Sequence, residues 1–355
     1  MSRYIIVTGD FNPWGGMDRA NYELARFLAE RGDTVHLIAH RVDLLLAKHP
    51  QIVVHPIGRP WGSHLLGAPL LDAAGRRCKR QLSDWRRANL QASMIVNGGN
   101  CQGTDINWVH YVHAAWHSQA ANVGSIRRLK GAFSDRYFAA AERDVIPQAR
   151  IVLANSERTR RDLMDRLKIH EDRIHVVYYG TDSNSLQPAT ARERHETRGQ
   201  MEWPADRPLV AFVGALGDER KGFDTAYVAW KTLCEARTWD ADLIVIGSGR
   251  SVPQWQTLAR QDGLASRILF LGFRRDVPRL LGACDALIAP ARYEAYGLGV
   301  HEAVCCGLPA IVSRCAGVAE RYPSDLDDLL LDDPNDTDEL IARLLHWRKD
   351  RKSVV

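Results

Sequence analysis

The segment Arg292-Tyr-Glu-Ala-Tyr-Gly-Leu-Gly-Val-His-Glu-Ala-Val-Cys-Cys-Gly-Leu-Pro309 gathers the residue types that hold a polyhydroxylated anion. Its pattern predicts a strand ending near Pro290 and a helix that starts near Leu298 and stops at Gly307. Glu294 then lies in the loop before the helix, and Glu302 about one turn inside it. Gly297 and Gly299 leave room for a ligand to reach the first free N–H groups of the helix, where the dipole favours negative charge. A diphosphate fits that place, flanked by two carboxylates able to accept hydrogen bonds from sugar hydroxyls. The same residues also fit a plain strand-to-helix loop with capping acids, and residue types alone leave both readings open.

A second concentration is Val109-His-Tyr-Val-His-Ala-Ala-Trp-His117, three histidines within eight residues after a predicted strand. Zinc is a poor reading, because no third ligand has suitable spacing. The acidic run from Asp325 to Glu339 reads as a surface loop and not as a Mg²⁺ site. Seven scattered cysteines without a CxxC pair read as reduced, mostly buried thiols of a cytoplasmic protein.

Elements able to position these residues recur along the chain. A strand from Tyr4 to Thr8, a glycine-containing loop, an amphipathic helix from about Asp18 to Arg31 and a strand from Thr34 to Ala39 make a β-loop-α-β unit. Further strands are expected at Ser93–Asn97, Asn107–Val112, Ile151–Ala154 and His175–Tyr179. The polar stretch 183–206 reads as a connection between domains. A second series begins at Leu209–Val213 and continues at Asp242–Ile246, Ile268–Leu271, Ala286–Ala289 and Ala310–Val312. The expectation is two doubly wound α/β domains, 1–182 and 207–355, facing a cleft, with ligands at the carboxyl ends of the strands.

Bulk composition agrees. A length of 355 residues exceeds what one core usually supports, and 45% apolar with 25% charged residues is ordinary for a globular protein. A net charge of +4 excludes a nucleic-acid binder by composition. Basic residues crowd two stretches, Arg76 to Arg87 and Arg127 to Arg136, which fit either a solvated helix face or contact with an anionic membrane. The N-terminus runs straight into a strand and not into a signal peptide, and no apolar run approaches the roughly 20 residues that span a bilayer.

Two glutamates seven residues apart around Gly-x-Gly, followed by Glu-Ala and Gly-x-Pro, resemble the signature of the retaining glycosyltransferases of family 4, which have the GT-B fold. Other segments are similar to that family in the same order. They are Gly15-Gly16 as its N-terminal glycine loop, Ala154-Asn-Ser156, Tyr179-Gly-Thr-Asp182 with Tyr for the usual Asn, and Phe212-Val-Gly-Ala-Leu-Gly-Asp-Glu-Arg-Lys-Gly222 as a basic phosphate loop. The resemblance spans residues 5 to about 346. It implies that Arg220 and Lys221, beside Gly214, neutralise the diphosphate of a nucleotide-sugar as the sugar leaves. Glu294 would hold the sugar, the N–H groups from Gly297 through Leu298 to Gly299 would meet the phosphates, and Glu302 would accept the ribose hydroxyls. The base would lie near Gly272-Phe273-Arg274. One histidine would stand near the anomeric carbon, with His113 favoured and His110 its rival.

The resemblance implies no metal and no cofactor beyond the nucleotide-sugar co-substrate. The chain departs from the pattern at Ala215, where relatives carry Arg, so that Arg220 would carry more of the load. It also ends at Val355, where relatives continue into a helix that crosses back onto the first domain. The acceptor would be a saccharide, a lipid-linked saccharide or a small molecule, reached from the cytoplasm or the inner membrane face. A nucleotide-sugar epimerase or hydrolase, or a catalytically weak nucleotide-sugar binder, fits the same fold.

Overall fold

Runs such as Leu209-Val-Ala-Phe-Val213 have no polar face to turn toward water, so each must become a strand covered on both sides. The computed structural model shows this at Leu209–Val213, whose first four residues are buried. It describes residues 2–88, 90–116, 125–182, 185–236 and 239–353, with 125–132 and 351–353 as backbone only. The chain divides into two units, Met1–Tyr179 and Gly180–Val355.

In chain order the first unit contains β1 (Arg3–Val7), β2 (Asp10–Phe11), α1 (Met17–Glu30), β3 (Thr34–Ala39), β4 (Arg41–Val42), α2 (Leu44–Ala47) and β5 (Ile52–Pro56). Then follow α3 (His64–Arg87), β6 (Ala92–Val96), β7 (Ile106–Val109), α4 (Ser125–Val145), β8 (Ile151–Ala154), α5 (Glu157–Leu167) and β9 (Ile174–Val176). Seven strands pair in parallel in the order β5-β3-β1-β6-β7-β8-β9, so the direction of winding reverses between β1 and β6. The short β2 and β4 pair separately.

The second unit contains α6 (Ala191–Gln200), β10 (Leu209–Val213), α7 (Phe223–Glu235), β11 (Asp242–Ile246), α8 (Val252–Gln261) and β12 (Ile268–Gly272). It continues with α9 (Val277–Gly282), β13 (Ala286–Ala289), α10 (Leu298–Cys305), β14 (Ala310–Ser313), β15 (Leu330–Leu331) and α11 (Thr337–Ser353). Its sheet runs β12-β11-β10-β13-β14-β15, and the winding reverses between β10 and β13. The wholly buried Trp230 of α7 sits in a core that α11 completes with Leu340, Leu344 and Trp347. Truncating Trp230 to Ala should cost roughly 3–5 kcal/mol.

Several boundaries differ from the reading of the sequence: β7 ends at Val109 and not at Val112, and β9 at Val176 and not at Tyr179. The units part after Tyr179. Residues 183–206, read as a connection, hold α6, which a Thr190–Glu193 capping box starts. Its Arg194 and Arg198 pair with the buried Asp285, and Arg198 also donates to the carbonyl of Ala283 at 3.0 Å, so this stretch is anchored in the second unit. A helix held by buried ion pairs has a polar composition and imitates a linker. The run Asp325–Glu339, read as a surface loop, contains β15 and the start of α11.

Candidate functional site

In the second unit the winding reverses where β10 and β13 lie side by side, and the loops beyond their carboxyl ends must diverge. Backbone contacts lock the two loops together. The Arg292 N–H donates to the Arg220 carbonyl at 2.7 Å. Gly222 has φ +65°, and a Cβ there would fall 1.8 Å from the Pro290 carbonyl oxygen, so a larger residue cannot stand at this crossing.

The lock brings together residues 73 positions apart. Lys221 Nζ, from the loop after β10, donates to Glu294 Oε2, from the loop after β13, and both side chains keep about a quarter of their surface exposed. The stem of Lys221 passes beside Gly214, where a Cβ would stand 3.4 Å from Lys221 Cγ. Arg220 does not join this pair; its guanidinium forks onto Asp218, with Nε at 2.8 Å from Oδ1. Burial alone would raise the Asp218 carboxyl, but Arg220 holds it below the ordinary carboxylate range.

Gly297, at φ +114°, starts α10 without a side-chain cap. Val300 and His301 donate back to its carbonyl at 3.1 and 3.0 Å, and among the described residues the N–H groups of Leu298 and Gly299 have no acceptor. That is an anion site in the making: two free donors at a positive helix end, with a lysine on the adjoining loop. Glu302 sits half-buried one turn inside α10. Phe273, 61% exposed after β12, stands two strands from β10, roughly 10 Å away at the usual strand spacing.

In the first unit Gly16 precedes α1 beyond β1, and the histidines follow β7, two strands along the sheet. The two candidate histidines differ completely. His110 is 7% exposed and its ring nitrogens are both engaged. Asn97 Nδ2 lies 2.9 Å from His110 Nε2 and donates to the Trp108 carbonyl at 3.0 Å, which fixes the amide's orientation. Nε2 therefore accepts, and Nδ1–H donates to the Tyr179 hydroxyl. Burial depresses its pKa to about 3, so the ring is neutral.

His113 opens a short 3₁₀ turn, 37% exposed. Its Nδ1–H donates to Glu142 Oε1 at 2.6 Å, and its backbone N–H to Glu142 Oε2 at 2.8 Å. Glu142 is 1% exposed and comes from α4. A carboxylate only accepts, so it places the proton on Nδ1 and leaves Nε2 as the acceptor nitrogen of the ring. Sequence reasoning missed Glu142. Its signal was an acid inside the buried stripe Ala139, Glu142, Val145, Ile146 of a helix. His117 lies outside the described residues, as do the side chains of Arg127, Arg128 and Lys130.

Among the described residues no three His, Cys, Asp or Glu side chains are grouped to hold a metal ion, and no helix is long and apolar enough to cross a membrane.

Comparison with known proteins covers nearly the whole chain. Residues 14–185 match Glycosyltransferase Family 4, and residues 193–354 match Glycosyl transferases group 1. The D-inositol 3-phosphate glycosyltransferase of Xylanimonas cellulosilytica is 28% identical over 95% of this chain and 84% of its own length. The 2-deoxystreptamine N-acetyl-D-glucosaminyltransferase of Streptomyces fradiae is 29% identical over 55% of this chain and 47% of its own. Among solved structures, WaaG, a glycosyltransferase involved in lipopolysaccharide biosynthesis, superposes with a TM-score of 0.77 at 20% identity, covering 97% of this chain and 90% of that one. HepE of Anabaena in complex with UDP-glucose gives 0.71 at 18% identity, covering 99% and 91%.

Proposed function

The chain belongs to the family 4 glycosyltransferases of GT-B fold, and from that premise we propose that it transfers a sugar, with retention, from a nucleoside-diphosphate sugar to a saccharide, lipid-linked or small-molecule acceptor. The observation that carries the reading is the pairing of Lys221 with Glu294 beside the open amino end of α10. An arriving diphosphate takes the lysine and the Leu298 and Gly299 N–H groups, and Glu294 is released to accept from sugar hydroxyls. Glu302 takes the ribose and Phe273 the base. The complex of HepE with UDP-glucose supports a nucleotide-sugar as the donor.

The transfer needs no covalent enzyme intermediate. The bond from the anomeric carbon to the phosphate oxygen breaks as the acceptor oxygen bonds on the same face, and the acceptor proton passes to the departing diphosphate. Charge building on that leaving group is the largest quantity to be stabilised, and fixed donors in place beforehand do this without reorganisation. His113 serves the transfer through Nε2. The donor set is cationic and amide, so transfer should proceed unchanged in EDTA.

Peripheral membrane association belongs to the same reading. The first unit exposes Leu44, Leu45 and Trp61, and Arg77, Lys79 and Arg80 of α3 have no ion pair among the described residues. Each such cation contributes on the order of 1 kcal/mol at an anionic surface. Cosedimentation with anionic vesicles at low salt, lost at high salt, is the expected result.

A thermal-shift panel of UDP-, GDP- and ADP-sugars identifies the donor. Nucleoside diphosphate should then be released only when acceptor is present. Release at the same rate without acceptor would mean a hydrolase, and binding with no release under any condition a silent binder.

A further inference from the structure

Five of the six strands of the second sheet, β10 to β14, each send a cation into the loop beyond their carboxyl ends, and acids neutralise nearly all of them. After β10, Arg220 is tied to Asp218 and Lys221 to Glu294. After β12, Arg274 is tied to Asp276; after β13, Arg292 to Asp224; after β14, Arg314 to Asp327 and Asp332. The exception follows β11. Among the described residues, Arg250 has neither an ion pair nor a side-chain hydrogen bond, and it is exposed.

Its position is set by contact between the loops after β10 and β11. Gly214 N–H donates to the Ile246 carbonyl and Leu216 N–H to the Ser248 carbonyl, both at 3.0 Å, so the two chains run on together past their strands. They come so close that a Cβ on Gly247 would fall 1.9 Å from the Gly214 carbonyl oxygen, and one on Gly249 1.7 Å from that of Leu216. This approach lays Arg250 along the loop 214–217. A Cβ on Gly217, where φ is +110°, would stand 3.1 Å from Arg250 Cγ. The loop is thus flanked by Lys221 beside Gly214 and by Arg250 beside Gly217, with the small Ala215 between them.

We propose that Arg250 is a further donor-binding residue, an uncommitted cation on the loop 214–217 that engages the diphosphate of the nucleotide-sugar. The assignment rests on the donor site described above. Each paired cation must leave a carboxylate before it can serve a phosphate, and that exchange returns little net energy. Arg250 gives up only water, and its planar fork matches two phosphate oxygens at once. It therefore supplies net positive charge where the compensated pairs supply geometry. It also restores the cation that Ala215 does not provide.

The test compares a nucleoside diphosphate with its nucleoside. UDP, GDP and ADP are titrated by calorimetry, and the one bound tightest is carried forward with the matching nucleoside. Arg250→Ala should weaken diphosphate binding roughly 10- to 100-fold, the scale of a hydrogen bond to a charged group, and leave the nucleoside unchanged. Arg250→Lys should fall between, and adding Ala215→Arg to Arg250→Ala should recover affinity. Arg260→Ala on α8 serves as a control of equal charge, and thermal melting checks that each variant is folded. Wild-type diphosphate affinity in Arg250→Ala overturns the inference, as does an equal loss for the nucleoside. Lys221→Ala separates the two levels: if it weakens diphosphate binding while Arg250→Ala does not, Arg250 alone has been misassigned. If neither variant weakens it, the donor site itself is misplaced.

Discussion

The loops beyond β10 and β13 present their charges in pairs that water still reaches, such as Lys221 with Glu294. Beyond β7 the arrangement is the reverse. There a half-exposed histidine stands on an acid that water cannot reach, and a second histidine is sealed in a neutral network. Under the proposed function, the contrast follows from what each place is built to meet. A diphosphate brings its own charge, so its site can wait as exchangeable ion pairs on backbone donors already in position. A single ring nitrogen must be aimed, and aiming needs a rigid buried partner. Pairs that exchange are cheap to break and restore; a buried acid is costly to leave alone.

The comparison is tested most severely at Lys221. Replacing it with Ala should lower turnover by roughly two to three orders of magnitude, the scale of losing one donor to a developing oxyanion. Single-turnover rates at saturating donor measure this, and wild-type rates would remove the phosphate role.

His113→Ala should lower turnover by about 100-fold with donor affinity nearly intact. Glu142→Gln keeps one acceptor for Nδ1–H but cannot accept from both Nδ1–H and the backbone. It should cost about tenfold in kcat, leave KM for the donor unchanged and shift the pH profile of kcat. A loss in melting temperature with no change in that profile would reduce Glu142 to a structural role.

Glu302→Ala should weaken nucleoside diphosphate and nucleoside alike by about tenfold, since a ribose contact is present in the ground state. This distinguishes it from the variants that act through phosphate. Equal binding by calorimetry would place the ribose elsewhere.

The smallest effect concerns His110, where stability and not turnover should respond. Its folded pKa is depressed to about 3, against an unfolded value near 6.5. Between those values the unfolded chain holds a proton that the folded chain refuses, so stability falls as pH drops below about 6.5. His36, held at about 4 mainly by burial and then by His55, acts in the same sense over the upper part of that window. The slope is at most about 1.4 kcal/mol per pH unit for each group. His110→Gln keeps an acceptor for Asn97 and a donor for Tyr179 but does not titrate. Denaturant unfolding from pH 7.5 to 5 should give a shallower acid slope in this variant, and an unchanged slope would place the titrating groups elsewhere.

Much of the second unit could be read in advance because local rules govern it. Apolar runs define β10, β11 and β13 within the residues that form them, and Gly297 marks the start of α10 through a φ of +114° that few other residues allow. The order of residues from Glu294 to Glu302 is a property of one short segment, so periodicity and motif spacing suffice. Only the tertiary structure decided what distant parts of the chain do to each other. It paired Lys221 with Glu294 through the crossing at Gly222, and it laid Arg250 against Gly217. It also set Glu142 under His113 from 29 residues away. Burial separated His113 from His110, two residues of one type three positions apart. Neither pairing nor burial is written in local spacing, since both depend on which strand ends the sheet brings side by side.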